Sequence, residues 1–400
     1  MDAVSVGRML DPEQVCSLLA VLPQFQGVRA VHLESVWAKP DRHFNVFYRI
    51  SDGGRERFAS LCLLGQERVD QAVRRIGRRD AGPSGGDAVP AANAGHGILA
   101  VAFPHDHRLE HLGVCLQPKV VHGVLGRGSV DRCEFAAYRA GLRCQIRYLA
   151  GEQVQAYGKI AVERDPGRRR LVHTALAEAT KTLAMRVPAS LGVVEDVGLD
   201  LVTAVDGGSL YQSLGAGSDA PLISRVVRAL AELHERVPGF ADRVHGPAGE
   251  LELVRSWVEW MSKVEPSIEG RLRRSLAILV AEAPTTTPNG FAHRDFHDKQ
   301  VLLGEANLWL LDVDTACTGD AELDLGNFLA HLFLRGVQWQ RALDHSHLET
   351  IAVQSYGDRA RADVTRWYRR ASLLRLACVY QLRPRWRAIV PALLGETLIP

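Results

Sequence analysis

The amino-acid sequence predicts a two-lobed α+β protein, with strands concentrated in the first half and helices in the second. Two stretches of the first half have the pattern strand, turn, strand, turn, strand, whereas apolar residues after position 208 recur at helical spacing. A Gly207–Gly208 break separates the two patterns. At 400 residues the chain is too long for one ordinary core. These observations favour two lobes joined near the glycine pair.

The composition is that of a folded globular protein, with 46% hydrophobic and 24% charged residues. A net charge of +2 gives no reason to expect a nucleic-acid partner. No run approaches the ~18 apolar residues of a membrane span, and the first residues do not resemble a secretion signal. The seven cysteines are odd in number and never spaced as CxxC, which is typical of reduced thiols. We therefore expect a cytoplasmic protein with no membrane partner.

The two strand-rich stretches, residues 36–61 and 135–160, have the same rhythm and predict an internal duplication of a three-stranded unit. Each has a tyrosine at the same place in its second strand, Tyr48 and Tyr148. The third strand of the second copy ends near Lys159, whereas the first copy has Leu61 or a neighbour there. If one copy carries out chemistry, we expect it to be the second.

A stretch rich in Gly, Ala and Pro begins after a basic segment and predicts a mobile linker. The predicted division is an N-terminal accessory segment at 1–80, the linker at 81–97, a strand-rich lobe at 98–206 and a helical lobe at 207–400. The accessory segment has three open roles: it dimerises the protein, it caps the site, or it does nothing chemical.

Helices are predicted where apolar residues recur at three- and four-residue spacing. The first of these spans 169–186 and has Glu178 as its only acid. Residues 191–208 predict two strands that meet at Gly198. Further helices are predicted at 224–237, 252–264, 271–283 and over most of the tail from residue 324.

The stretch HRDFHDKQ, residues 293–300, places dense mixed charge directly before the apolar strand Val301–Leu303. Phosphoryl transfer from ATP needs metal ions, a cation on the phosphates and a carboxylate that orients the attacking hydroxyl. Asp295 is available as that carboxylate. Gln300 precedes the first strand of a predicted hairpin and Asp312 follows the second strand, so the hairpin brings their oxygen atoms together with Asp295. Hard oxygen ligands suit Mg²⁺.

The stretch HRDFHDKQVLLGEANLWLLDVDTACTGDAELDLGNFLAHL resembles the catalytic core of the aminoglycoside phosphotransferase and choline kinase-like family, small-molecule kinases with the protein-kinase fold. The likeness covers residues 130–400. It implies ATP as donor, Mg²⁺ as metal and a small-molecule hydroxyl as acceptor. It also implies Asp295 as catalytic carboxylate, Gln300 and Asp312 as metal ligands, and Asp324 as a structural aspartate of the next helix.

Upstream, AYGKI is similar to the third strand of this family, which implies that Lys159 holds the phosphates with Glu178 as its ion-pair partner. LVTAVDGGSL is similar to the hinge strand, whose backbone would hold adenine. The turn over the phosphates would be YRAGLR. The predicted nucleotide-binding residues are thus Arg143, Lys159, Glu178, Thr203 and Val205.

The sequence departs from the family pattern at Gln300, where the family has Asn, and no GxGxxG precedes the lysine. The absence of DFG and APE motifs disfavours a protein kinase. A competing interpretation is a kinase-like module that binds nucleotide or regulates a partner without turnover. The N-terminal segment could also form a homodimer.

Several polar residues keep two interpretations each. Asp314 is a second metal ligand or a turn former. His297, Asp298 and Lys299 contact the substrate or the γ-phosphate, or they form a solvated loop. PHDHRLEH, residues 104–111, weakly suggests zinc. The acceptor is an aminoglycoside, sugar, amino alcohol or natural product. Candidate acids for binding it are Glu250, Glu252, Glu259 and Glu265.

Overall fold

The structure is a computed structural model that describes residues 2–52, 55–80, 90–162, 166–217, 219–240, 242–339 and 344–399. The chain divides into two compact units. Unit 1 comprises Met1–Arg164, Leu191–Ala204 and Lys263–Glu265, and unit 2 comprises Asp165–Ser190, Val205–Ser262 and Pro266–Pro400. Among the described helices, none is long and apolar enough to cross a bilayer.

The described strands lie mostly in the first half of the chain and the described long helices mostly in the second, as in an α+β protein. The described strands are β1 Val31–Lys39, β2 His43–Asp52, β3 Arg55–Leu63, β4 Ala91–Asn93, β5 Ile98–Ala102, β6 Arg132–Arg139, β7 Arg143–Ala150, β8 Gln153–Ala161, β9 Met185–Arg186, β10 Ser190–Val194, β11 Leu199–Thr203, β12 Gly208–Ser209, β13 Val244–His245, β14 Gly290–Ala292, β15 Val301–Leu303, β16 Leu308–Leu310 and β17 Cys317–Gly319. The described helices are α1 Ala3–Leu10, α2 Pro12–Leu19, α3 Gln66–Asp80, α4 Leu112–Cys115, α5 His122–Leu125, α6 Pro166–Ala179, α7 Leu210–Ser213, α8 Asp219–Arg236, α9 Pro247–Val264, α10 Glu269–Ala281, α11 Ala321–Trp339, α12 His345–Tyr356, α13 Ala362–Gln381 and α14 Val390–Glu396.

Unit 1 contains two five-stranded sheets with the same strand order. The first runs β1-β2-β3-β5-β4 and the second runs β6-β7-β8-β11-β10. The first hairpin of each sheet turns through a left-handed residue at the same position, Asp41 (φ 52°) and Gly141 (φ 66°). The predicted duplication of a three-stranded unit is consistent with this matching strand order and turn geometry. A common origin of the two copies stays a prediction.

The predicted division into segments differs from the observed units. The accessory segment and most of the strand-rich lobe fall together in unit 1, whereas the chain from Asp165 to Ser190 belongs to unit 2. Residues 81–89 of the predicted linker lie outside the described residues. The linker prediction is wrong for Ala91–Asn93, which pairs with β5 as β4. The fully buried strand Ile98–Ala102 explains this, because it offers its edge to the preceding residues.

The helix predicted at 169–186 ends early, at Ala179. The Thr180 hydroxyl donates to the Leu176 carbonyl (2.8 Å) and accepts from the Val187 amide (3.0 Å), which turns the chain out of the helix. Met185 and Arg186 then pair with β16 as a strand. The side chain of one threonine therefore outweighs the apolar periodicity that continues past it.

The core of unit 2 lies around α8, α11 and the β15–β16 hairpin, and includes Phe291, Phe296 and Phe328. The helices predicted at 224–237, 252–264 and 271–283 are observed as α8, α9 and α10, and the tail is mostly helical. The glycine break is also required by sterics. Gly207 has φ 98°, and a Cβ there would lie 2.3 Å from the Leu303 carbonyl oxygen.

Candidate active site

The β15–β16 hairpin brings Gln300 and Asp312 to the same end. Val301 pairs with Leu310 at that end, and the Leu311 amide donates to the Gln300 carbonyl over 2.8 Å. Gln300 immediately precedes the paired strands and Asp312 follows them closely. The oxygen-bearing side chains that the sequence assigns to Mg²⁺ thus flank one hairpin end, and this donor set fits a hard cation that keeps most of its water.

Asp324 fixes the start of the HRDFHDKQ loop. Its side chain is buried, and its two oxygens accept the backbone amides of His293 and Arg294, each over 2.7 Å. His234 Nε2 lies 3.1 Å from the same carboxylate. Because Asp324 lies in the first turn of α11, the helix dipole also favours its negative charge. The structural role implied for Asp324 is therefore observed.

His293 connects the Asp295 segment to the Asp312 segment. Its Nε2 lies 2.9 Å from the Leu311 carbonyl, which can only accept, so Nε2 carries the proton. Nδ1 is then the acceptor for the Asp295 amide at 3.2 Å. Thr315 adds a hydroxyl bond to the His293 carbonyl at 2.8 Å. The backbone at Asp295 is thereby joined to the chain on both sides of Asp312.

Two residues of this region have left-handed backbones without being glycine. They are Arg294 (φ 70°) and Asp312 (φ 57°). Such conformations cost about 1 kcal/mol and persist only where surrounding contacts hold them, a situation common at functional sites. Asp314 lies in the 3₁₀ turn that follows, Val313–Thr315, which accords with its interpretation as a turn former.

Asp298 is a buried structural residue, so neither a solvated loop position nor a substrate contact describes it. Its carboxylate forms a bidentate pair with Arg335, at 2.7 and 3.0 Å, and is fully inaccessible to solvent. Burial opposes its ionisation, but bonds from His297 and Arg335 outweigh burial and lower the pKa of Asp298. The Lys299 ammonium lies 4.4 Å from the centre of the Tyr211 ring. The Asp298–Arg335 pair thus holds the loop onto α11, and the Lys299 contact joins it to α7.

His297 lies beside the catalytic candidate, with Nε2 3.9 Å from an Asp295 carboxylate oxygen. Its ring stacks on His331 at 4.3 Å with planes only 7° apart. Within the described residues, His297, Asp298 and His331 form a group with metal-ligand spacing. Parallel rings cannot direct their nitrogen lone pairs at one ion, and Arg335 already occupies the Asp298 carboxylate. We assign no metal there.

In unit 1, Lys159 lies on β8 with Gln145 of β7 and Asp200 of β11 as its direct cross-strand neighbours. Paired residues project to the same face of a sheet, and Arg143 lies two positions from Gln145 on that face. All four are half-buried, whereas alternate residues such as Ile160 face the core. The predicted phosphate-binding residues Lys159 and Arg143 therefore share one half-buried polar face. Asp200 has no recognisable signal in the sequence, because only the strand register places it beside Lys159.

The other predicted nucleotide-binding residues are Glu178, Thr203 and Val205. Glu178 forms an exposed ion pair with Lys181, three residues later and just past the end of α6. Thr203 ends β11, and the chain passes from unit 1 to unit 2 between Ala204 and Val205. The roles of Glu178, Thr203 and Val205 stay predictions.

Of the four candidate acids for the acceptor, Glu250 is buried and bonded to His245 at 2.8 Å. Burial opposes its ionisation, yet the bond from His245 and nearby arginines lower its pKa. Its charge is therefore compensated inside unit 2. Glu252 and Glu259 are exposed, and Glu265 is half-buried.

The fold and this loop–hairpin arrangement define a protein-kinase-like phosphotransferase class. The model of the phosphotransferase enzyme family matches residues 155–369, more than half of the chain. The chain belongs to this family, and the α+β fold class and the resemblance drawn from the sequence are confirmed. Residues 1–154 lie outside the match.

Solved structures agree in fold. A choline/ethanolamine kinase family protein from Mesorhizobium loti is 14% identical, with a TM-score of 0.52, and the match covers 72% of this chain and 95% of that one. A choline kinase from Cryptosporidium parvum Iowa II is 10% identical, with a TM-score of 0.50, covering 72% and 93%. A comparison with curated protein sequences finds no match. At such identities the likeness shows the fold alone.

Proposed function

We propose that the protein transfers the γ-phosphate of ATP to a hydroxyl group of a small molecule. The observation that carries the proposal is the anchoring of Asp295. Buried Asp324 and singly protonated His293 hold its loop beside the hairpin end that bears Gln300 and Asp312. Positioning of this kind is most of what phosphoryl transfer needs from a protein.

In the proposed reaction, Asp295 orients the acceptor hydroxyl and accepts its proton as the oxygen attacks phosphorus. Gln300 and Asp312 hold Mg²⁺, which neutralises charge on the phosphates when bound. Lys159 and Arg143 bind the donor phosphates from their shared sheet face. The backbone at Thr203 and Val205 binds adenine. The reaction takes place in the cytoplasm, in keeping with seven free thiols.

The proposed acceptor is a hydroxylated small molecule such as an aminoglycoside, sugar, amino alcohol or natural product. A panel of these compounds, scored for ADP release against a control without acceptor, identifies it. With the best acceptor, Asp295→Asn is expected to lower kcat by about 10²–10⁴-fold, because the hydroxyl proton loses its acceptor. Asp358→Asn, an exposed loop position, is the matched control. Full turnover by Asp295→Asn would defeat the assigned role.

The alternative is a kinase-like module that binds nucleotide without turnover, and Gln300 favours it because its longer arm changes the metal geometry. Thermal shifts with ATP, with and without Mg²⁺, separate the two functions. Stabilisation that requires Mg²⁺ supports the enzyme. Metal-independent stabilisation without ADP release supports the module.

A further inference from the structure

The segment PHDHRLEH wraps around the turn between β6 and β7, residues 139–142, here called the braced turn. Asp106, whose side chain is fully buried, accepts the Gly141 amide at 2.7 Å and the Tyr138 hydroxyl at 2.6 Å through one oxygen. Its other oxygen accepts the amides of Arg108 and Leu109 at 2.6 and 2.9 Å. One carboxylate therefore ties the turn to the segment that precedes it.

The residues after Asp106 close on the same glycine. The His107 ring lies so near that a Cβ on Gly141 would be 2.3 Å from His107 Cε1. Arg108 donates a guanidinium hydrogen bond to the Gly141 carbonyl at 3.2 Å. Burial, the largest cause, lowers the pKa of His107, so the ring packs here in its neutral form. With φ 66° at this position, only glycine satisfies both the backbone and the packing.

The first sheet holds the braced turn from a third direction. Asn45 on β2 donates its amide to the Ala140 carbonyl at 2.6 Å, and Ser35 on β1 bonds the Tyr138 carbonyl at 3.4 Å. The Phe47 ring meets the Tyr138 ring at 4.8 Å. Tyr138 and Ala140 are 4% and 3% exposed as a result. The turn therefore lacks the freedom of a solvent-exposed hairpin loop.

We propose that the N-terminal sheet and the Asp106 segment are a positioning device, which fixes the braced turn and thereby holds Arg143, the first residue of β7, in place for the donor phosphates. The proposal rests on the proposed function, in which Arg143, the residue directly after this turn, binds the donor phosphates. A flexible phosphate loop loses conformational entropy when nucleotide binds. A turn that is already fixed avoids that cost and binds more tightly. Asp106 and Asn45 are thus positioning residues that act through the turn.

The test measures ATP affinity and acceptor affinity separately. Asn45→Ala removes the bond to Ala140 and is expected to raise both KM and the calorimetric Kd for ATP by about 2–10-fold, with KM for the acceptor unchanged. Asn45→Asp restores an oxygen but not the donor, so it should not rescue. Tyr48→Phe is the matched control, because it removes a buried hydrogen bond to the Met9 carbonyl on the same strand, three residues from Asn45 and on the opposite face of the sheet.

Hydrogen exchange gives a second readout that needs no turnover. In Asp106→Asn and Asn45→Ala, the amides of residues 140–142 should exchange faster, in step with the loss of ATP affinity. Faster exchange at the turn with an unchanged Kd for ATP would overturn the proposal. Failure of the proposed function is distinguishable, because it appears in the wild-type protein as absence of both ATP binding and ADP release.

Discussion

The two three-stranded units of unit 1, β1–β3 and β6–β8, have the same backbone plan and different surfaces. Counting from the matched hairpins, Gln145 corresponds to Asn45, and their cross-strand partners are Lys159 and Cys62. Lys159 is half-buried, whereas Cys62 is 0% exposed. The register thus shows that Cys62, and not the adjacent Leu61, is the residue of the first copy that corresponds to Lys159. Its thiol lies in the core.

The same strand arrangement carries a half-buried polar face in one copy and a buried face in the other. In the first sheet the face that corresponds to the Lys159 face carries Asn45, Phe47 and Cys62, which are 3%, 3% and 0% exposed. Part of the second sheet, including Tyr138, covers it. The face that could hold a ligand in one copy is filled by protein in the other. The two copies therefore differ in the side chains on this face and not in strand order.

The largest effect is expected from placing a lysine at the position in the first copy that corresponds to Lys159. In Cys62→Lys, an ammonium group would enter the core without water or a partner, which costs about 3–5 kcal/mol of unfolding free energy. Urea denaturation measures this loss, and Cys62→Ala controls for removal of the thiol. A folded Cys62→Lys protein that binds two ATP molecules would show instead that the first sheet retains a latent nucleotide face.

The converse change removes the lysine of the second copy. Lys159→Ala is expected to lower kcat/KM for ATP by about 10²–10³-fold, because one cation on the donor phosphates is lost. Unfolding free energy should change little, since the side chain is only half-buried. Lys119→Ala, at an exposed position of the same unit, is the control. Activity within twofold of wild type would move the phosphate-binding role from Lys159 to another cation.

Local pattern was sufficient for the parts of the fold and site that depend on short spacings. Alternating apolar residues predicted β1–β3 and β6–β8, because each strand follows its partner across a tight turn. The spacing from Asp295 to Gln300 and Asp312 predicted one hairpin, and its pairing brings the last two to one end. In each case the interacting residues are close in sequence, so a short stretch of sequence is enough to predict that they are in contact.

Contacts between distant residues decided what the sequence could not show. The local sequence indicates that Asp298 is a charged loop residue. In the structure it is buried and forms an ion pair with Arg335, 37 positions later. The local sequence places Asp106 in a histidine cluster. In the structure its carboxylate accepts the backbone amide of Gly141, 35 positions later, and fixes the braced turn. Ala91–Asn93 has no strand pattern and pairs only because a buried neighbour offers an edge. No local signal distinguishes these outcomes.

The smallest expected effect is one in which the two copies behave alike. Tyr48 donates its hydroxyl to the Met9 carbonyl at 2.9 Å, and Tyr148 donates to the Cys115 carbonyl at 2.6 Å. Each Tyr→Phe change removes one buried hydrogen bond and should cost about 1 kcal/mol of unfolding free energy. Urea denaturation of the two variants side by side measures this loss. If the loss of unfolding free energy in one variant is more than twice that in the other, the two copies are not equivalent in packing.

The same tyrosines link stability to alkaline pH. Burial, the main cause in both, raises the pKa of Tyr48 and of Tyr148 above the ordinary value of 10. The folded state therefore disfavours the phenolate, so this contribution to stability is complete below pH 10 and declines as pH rises above it. Each Phe variant removes one such group, and the fall in unfolding free energy between neutral and alkaline pH should become shallower by the same amount in either copy. An unaltered slope in one variant would mean that its tyrosine already ionises in the folded protein, which its buried hydrogen bond to a carbonyl does not allow.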